Sequence, residues 1–207
     1  MIEAATVLMF AYGLGCFCSG YYLVRAAKGI DIRDTASGNV GSRNVGRLLG
    51  PGGFLLTLLG DAGKGMLAVW IAQVLRPDSL LPLAALLAVV AGHIRPVQLG
   101  FRGGKGFATL AGGMLVLNPV LFLGTLVLSL LFTGLRRGTT AAGLLALALS
   151  PVLLLLQRLY GNGQLRGVEM VPYLLLVVMV LHAHRANIRA ALNGPPPGTS
   201  GLRRTES

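Results

Sequence analysis

Gly106 to Leu135, GFATLAGGMLVLNPVLFLGTLVLSLLFTGL, is 30 residues long and carries no charge. Its reading decides the fold. One helix needs roughly 20 apolar residues to cross the hydrocarbon core of a bilayer. The run is too long for one untilted crossing and too short for two full ones. Asn118-Pro119 stands near its middle, and such a pair is a turn signal. We read two short helices forming a hairpin.

The rest of the chain has the same character. Of 207 residues, 54% are hydrophobic and 12% charged, and the mean hydropathy is +0.71. That is the composition of a membrane protein. The uncharged run Ala4 to Val24 is long enough to span. No basic region precedes it and no clear A-x-A site follows, so we read a retained helix and not a signal peptide. Further apolar segments are Gly53–Leu75, Ser79–Gly92, Gly138–Gln157 and Gly167–Leu181. Counting the long run as a hairpin predicts seven crossings in an all-α, polytopic integral membrane protein.

The placement of cations supports that parity. With the hairpin, fourteen Lys and Arg fall on one side and three (Arg76, Arg158, Arg166) on the other, with Lys64 inside a helix. With a single crossing the split would be ten to seven. The positive-inside rule favours the hairpin, with the N-terminus outside and the C-terminus in the cytoplasm. The net charge of +11 is then concentrated on the cytoplasmic face, where anionic lipids and phosphorylated metabolites meet it. Nucleic acid is not an expected partner, because the cations sit in short loops between spans. Residues 1–192 read as one transmembrane domain. From Asn193 the Gly, Pro, Ser and basic residues read as a disordered tail.

Phe101 to Thr109, FRGGKGFAT, is the most distinctive loop. Gly103, Gly104 and Gly106 allow tight turns that leave backbone N–H groups pointing outward. Arg102 and Lys105 add charge, and Thr109 adds a hydroxyl where the next helix begins. A phosphate cradle and a plain basic loop at a membrane surface both fit. The loop does not match a Walker A motif. Ser37 to Arg47, SGNVGSRNVGR, is a second loop dense in donors. Ser37, Asn39, Ser42 and Asn44 can donate to oxyanions, and Arg43 and Arg47 can pair with phosphate. Gly, Ser and Asn also suit an ordinary solvated turn.

Asp61 and Lys64 share a helix face within an apolar segment. Charges at membrane depth pair or line a polar cavity. An internal ion pair that braces packing, helped by Gly60, Gly63 and Gly65, ranks ahead of substrate contact. His93 closes the third apolar segment, before Arg95 and the helix-stopping Pro96. It reads as a cap or as a support for the glycine loop. Arg136 and Arg137 read as topology signals, and Thr139 and Thr140 as caps of the following helix. The outward stretch Arg158–Glu169 reads as a surface connector. After the last span, His184 and Asn187 share a helical face that His182 does not. Cys16 and Cys18, two apart, suggest neither a disulfide nor a zinc site. No metal and no cofactor is expected.

SGNVGSRNVGR, DAGKG, GHIRPVQLGFRGGKGFAT and HRANIR, in this order and span pattern, resemble the bacterial acyl-phosphate-dependent glycerol-3-phosphate acyltransferases, the PlsY family. The resemblance covers the first helix to about residue 192. It implies a seven-helix enzyme of the bacterial cytoplasmic (inner) membrane with its site facing the cytoplasm. Its reaction would move a fatty acyl group from acyl phosphate to the 1-hydroxyl of glycerol 3-phosphate, giving lysophosphatidate and phosphate at the start of phospholipid synthesis. It also implies a functional link to a soluble enzyme that forms acyl phosphate. By resemblance, Ser37 and Arg47 hold glycerol 3-phosphate, and Asn39 and Asn44 shape their loop. Gly103, Gly104, Lys105 and Gly106 form the phosphate turn. Lys105, His184 and Asn187 complete the pocket, and Thr139 or Thr140 supplies a family hydroxyl. Asp61, Lys64 and His93 support it.

The sequence departs from the family pattern in places. Arg43 stands where the family has a small hydroxyl residue, Arg95 where it has an aromatic, and Asn193-Gly194-Pro195 replaces a glycine-glutamate ending. The chemistry of the residues agrees with the resemblance. Both substrates are anions, and an acyl phosphate is already activated, so positioning and charge neutralisation suffice. No Ser–His–Asp arrangement and no H-x-x-x-x-D motif is present. The alternatives are a paralogue with another phosphorylated acceptor, a transporter of organic phosphates, and a non-catalytic lipid-binding protein. A transporter would want polar residues in the outward half, where Val116–Leu131 and Leu144–Leu156 offer few.

Overall fold

The computed structural model describes residues 2–77, 79–135, 138–160 and 170–193. Among them the regular structure is helical: α1 (Ile2–Cys16), α2 (Ser19–Lys28), α3 (Ser42–Leu75), α4 (Leu81–Ile94), α5 (Phe107–Leu117), α6 (Pro119–Gly134), α7 (Thr139–Tyr160), α8 (Met170–Ala183) and α9 (Arg185–Asn193), with short 3-10 turns at Ile32–Asp34 and Val97–Leu99. Arg136, Arg137, the connector after Tyr160 and the tail from Gly194 lie outside the described residues.

The long apolar run does divide in two. Asn118 is the single residue between α5 and α6. Its side chain accepts from the Leu121 N–H at 3.0 Å, and Pro119 occupies the first turn, where a missing N–H costs nothing. Asn118 also exchanges amide hydrogen bonds with Gln157 of α7 at 3.0 and 3.3 Å. Four helical stretches are long and apolar enough to cross a membrane, and a fifth is if α8 and α9, bent by 65°, count as one. With 11 and 16 residues, α5 and α6 are shorter than a full crossing. Their exteriors, and those of α3 and α8, expose large apolar side chains such as Leu59, Trp70, Val127, Leu130 and Val178. A bilayer covers such surfaces.

Two of the segments differ from the reading of the sequence. The first crossing is interrupted: α1 stops at Cys16 and α2 starts at Ser19. The donor-rich stretch up to Leu49 is not all loop, because helix begins at Ser42. Asn44 explains that start. Its Nδ2 donates to the carbonyls of Ile32, Thr35 and Asn39 at 3.3, 3.2 and 3.0 Å, so the preceding loop wraps around a buried amide. Arg47 therefore projects from a helix. Gly50, at φ 72° and ψ −169°, then breaks α3 ahead of Pro51.

Reciprocal glycines set the helix crossings. Where α1 meets α4, Gly15 faces the Val89 carbonyl and Gly92 faces the Tyr12 carbonyl; a Cβ at either would lie 2.1 or 2.2 Å from the oxygen. Where α3 meets α5, Gly65 faces Thr109 O and Gly112 faces Ala62 O, each at 2.0 Å on the same test. Small residues are what let apolar helices approach this closely. Gly60 faces the Ser19 side chain instead, and Gly63 faces open space, so of the three glycines near Asp61 only Gly65 lies in that crossing. Gly112→Ala is expected to force α3 and α5 apart and cost about 1–3 kcal/mol, the usual overpacking range. Gly63→Ala is its control. A thermal midpoint in detergent that falls no further for Gly112→Ala than for Gly63→Ala would refute the close crossing. Between α7 and α8, the hydroxyls of Ser150 and Tyr173 meet at 2.6 Å and tie the two helices.

Candidate active site

The glycine loop folds back onto the end of α4. The Gly104 N–H donates to His93 O at 2.9 Å and the Gly103 N–H to Ile94 O at 3.3 Å. These two amides satisfy helix-end carbonyls and do not point outward, contrary to the expectation from the sequence. The donors left for an anion belong to the turn from Lys105 into α5. Glycine is still required here. A Cβ at Gly104 would lie 2.0 Å from His93 Nε2, and Gly106 has φ 79°. Thr109 does not face the loop. It is fully buried at the α3–α5 crossing.

Beneath the loop lies a buried ionic cluster. Lys64 Nζ is 2.9 Å from Asp61 Oδ1 and 2.7 Å from His93 Nδ1. It also donates to Gly15 O at 3.1 Å and Phe17 O at 2.7 Å, while the Ser19 N–H donates to Asp61 Oδ1 at 3.3 Å. The break between α1 and α2 leaves carbonyls on one side and N–H groups on the other without helical partners. The ion pair caps both ends of it. His93 is 3% exposed, so it is not the surface cap its position suggested. Its imidazole joins Lys64 to the underside of the glycine loop. Cys18 is buried beside it, with Sγ 3.7 Å from His93 O.

Other polar side chains fix the loop from outside. Tyr12 OH donates to Arg95 O at 2.7 Å, Gln98 Nε2 to Cys16 O at 2.7 Å, and Arg33 to Leu99 O at 2.7 Å. Arg33 is itself held by Asp31 through a 2.6 Å ion pair, which holds the Asp31 carboxyl below its usual pKa. Tyr12, Gln98 and Arg33 were not singled out in the sequence. Their signal was weak: isolated polar groups in a transmembrane segment or a loop.

Above the loop, the residues expected at the site converge. Lys105 Nζ donates to Asn187 Oδ1 at 2.8 Å, joining positions 82 residues apart. Burial, and then the nearby charge of Arg43, lower the Lys105 pKa from its ordinary value. His184 occupies the break between α8 and α9, past the last turn of α8, with its ring edge-on to Phe107 at 6.0 Å. Its Nδ1 lies 2.9 Å from Val180 O. A carbonyl only accepts, so Nδ1 carries the proton and Nε2 holds the lone pair. Burial lowers the His184 pKa, the Val180 contact raises it, and Lys105 and Arg43 lower it further.

In the loop before α3, Asn39 accepts from the Gly41 N–H at 3.2 Å, and Asn44 Oδ1 from the Ser37 N–H at 3.4 Å. Both amides shape the Ser37 loop. Arg47 shares a recess of about 470 Å³ with Arg43, Gly46, Gly50, Pro51 and Phe54. Arg43 donates to the hydroxyls of both Thr139 and Thr140, linking α3 to α7. A separate groove of about 460 Å³ runs between α4 and α8, walled by Ile94, Leu175, Val178 and Met179 and rimmed by Arg95, Arg102 and Arg185. The whole arrangement suits anions with apolar tails. Cationic and hydroxyl groups gather at one end of the bundle, and apolar walls lie below them. Among the described residues, no group of His, Cys, Asp or Glu has the composition of a metal site.

Comparison with known proteins identifies the family. The family model described as glycerol-3-phosphate acyltransferase matches residues 5–194. Glycerol-3-phosphate acyltransferase 1 of Desulfitobacterium hafniense (strain Y51) is 42% identical over 188 residues, covering 90% of each chain. The glycerol-3-phosphate acyltransferase of Rubrobacter xylanophilus is 40% identical over 198 residues, covering 94% of each. The crystal structure of PlsY (YgiH), an integral membrane glycerol 3-phosphate acyltransferase, superposes in its glycerol 3-phosphate form with a TM-score of 0.82 at 30% identity and in its lysophosphatidic acid form with 0.79 at 29%, over 93% of each chain. Matched over residues 5–194, the chain belongs to the glycerol-3-phosphate acyltransferase family.

Proposed function

We propose that this enzyme transfers a fatty acyl group from acyl phosphate to the 1-hydroxyl of glycerol 3-phosphate at the cytoplasmic face of the bacterial inner membrane. The observation that carries this is the convergence of Lys105, Arg43 and Arg47 at one end of the bundle. None of the three is ion-paired with a carboxylate among the described residues. Cations without counterions are costly to gather unless an anionic ligand completes the site. All seven apolar segments cross in this reading. Residues 1–192 form the single domain, and α5 and α6 count as two short crossings.

In the reaction, the acceptor hydroxyl oxygen attacks the acyl carbonyl carbon. The new ester C–O bond forms as the C–O bond to phosphate breaks, and phosphate leaves with the electron pair. Ser37 and Arg47 hold the acceptor, with Asn39 and Asn44 keeping their loop in place. Lys105, steadied by Asn187, neutralises charge on the leaving phosphate, beside the turn made possible by Gly103, Gly104 and Gly106. Thr139 lines the far wall, while Asp61, Lys64 and His93 fix the loop from below. Burial and two neighbouring cations oppose a further positive charge on His184. His184 Nε2, with its lone pair free, orients the hydroxyl as an acceptor, and an oxygen of the departing phosphate takes the hydroxyl proton.

The test uses purified protein with palmitoyl phosphate and glycerol 3-phosphate, with palmitoyl-CoA as a parallel donor. Phosphate release that depends on the acceptor, together with lysophosphatidate, is expected. Turnover with the CoA donor alone would overturn the donor assignment.

A further inference from the structure

We propose that Arg43, held by Thr139 and Thr140, is a phosphate-binding residue that takes the phosphate of the acceptor jointly with Arg47. The inference rests on the acyl-transfer reading above and adds a residue to it.

Arg43 and Arg47 are four apart on the first turns of α3, so their side chains share a face. They line one recess, whose floor is opened by Gly46 and Gly50. Each terminal guanidinium nitrogen of Arg43 gives one hydrogen bond to a threonine hydroxyl. A guanidinium has more N–H donors than those two contacts use, in a fixed planar fork. The remaining donors stay available to an oxyanion. The threonines do more than anchor the fork. A hydroxyl oxygen that accepts from Arg43 keeps its own proton free to donate. The trio therefore presents guanidinium and hydroxyl donors together.

Charge accounting points the same way. Acyl phosphate and glycerol 3-phosphate are both multiply anionic, and they must meet within bonding distance. Lys105 and Arg47 alone leave the pair under-compensated. Arg43 approaches closely enough for its charge to be felt at Lys105 and His184. A neutral residue at this position would remove the recess's second cation and leave Thr139 and Thr140 without the donor that orients them.

The test compares wild type with Arg43→Thr, Arg43→Lys and Thr140→Val in two measurements. Steady-state kinetics with palmitoyl phosphate should show the KM for glycerol 3-phosphate rising about tenfold or more in Arg43→Thr, the scale of a charge-assisted hydrogen bond. The KM for palmitoyl phosphate should rise by less than that for glycerol 3-phosphate, and any fall in kcat should be smaller than the rise in that KM. Arg43→Lys keeps the charge without the fork and should fall between, and Thr140→Val should shift the same constant by less. Calorimetric titration of unreacted protein with glycerol 3-phosphate should weaken in parallel. A KM and affinity for glycerol 3-phosphate unchanged in Arg43→Thr and Arg43→Lys would overturn the inference. So would a fall in kcat with both KM values unchanged, which is what a mere α3–α7 tie predicts. Should Arg43→Thr fail to fold, the other two variants still decide it. The titration needs no turnover, so a wild type inactive with palmitoyl phosphate would sink the acyl-transfer reading and leave this result separately legible.

Discussion

Lys105→Ala is expected to lower kcat/KM for acyl transfer at least about 100-fold, on the scale of losing one preorganised charge at a developing anion. The protein should remain folded. Lys105 is only half-buried, and its hydrogen bond goes to Asn187 at the edge of the bundle, not into the core. In the mechanism proposed above its ammonium meets the leaving phosphate, so the loss should fall mainly on kcat. Wild-type turnover in Lys105→Ala would remove the loop from the mechanism. The pH dependence carries a sign. Burial first and Arg43 second lower the Lys105 pKa, and an ammonium is charged only below its pKa. Activity should therefore decline on the alkaline side at lower pH than an exposed lysine would impose, and that limb should be absent from the residual activity of Lys105→Ala.

The second large effect is on stability. Lys64→Met is expected to cost about 3–5 kcal/mol, the range for leaving one partner of a buried ion pair uncompensated. Asp61 would remain 2% exposed without its cation, and the carbonyls of Gly15 and Phe17 would lose their donor. Asp61→Asn combined with Lys64→Met should recover part of the loss. The amide oxygen can still accept from Ser19, and no charge is stranded. Thermal unfolding in detergent measures both. A single variant no less stable than the double would mean that the pair does not brace the broken crossing.

Much of this architecture was legible because bilayers impose strict length rules. The 30-residue uncharged run was too long for one untilted crossing, and Asn118-Pro119 marked where it divides. The pairing of Asp61 with Lys64 was legible for a similar reason, since lone charges at that depth are too costly. What they pair for was not. Capping the α1–α2 break depends on a chain interruption at Phe17 and Cys18, which Gly13, Gly15 and Gly20 flank without fixing where it falls. The helical start at Ser42 was hidden as well. Turn-forming residues fill that stretch, and only the tertiary contacts of Asn44 show the helix beginning early. The direction of the Gly103 and Gly104 amides was likewise beyond the sequence. A glycine permits many orientations, and the carbonyls of His93 and Ile94 choose among them. Arg43 stood out as a residue of unusual type, while its two threonine partners come from nearly a hundred residues away.

That separation has a consequence for biosynthesis. The ionic cluster under the glycine loop is complete once α4 has been made, since its members come from α1 to α4. The Lys105–Asn187 contact waits for α9, the last described helix. A chain emerging from the ribosome thus acquires its scaffold early and its pocket at the very end. A nascent or C-terminally truncated enzyme would sit in the membrane with a braced loop and an open site. On the mechanism proposed above, it would not spend activated fatty acid before synthesis was finished.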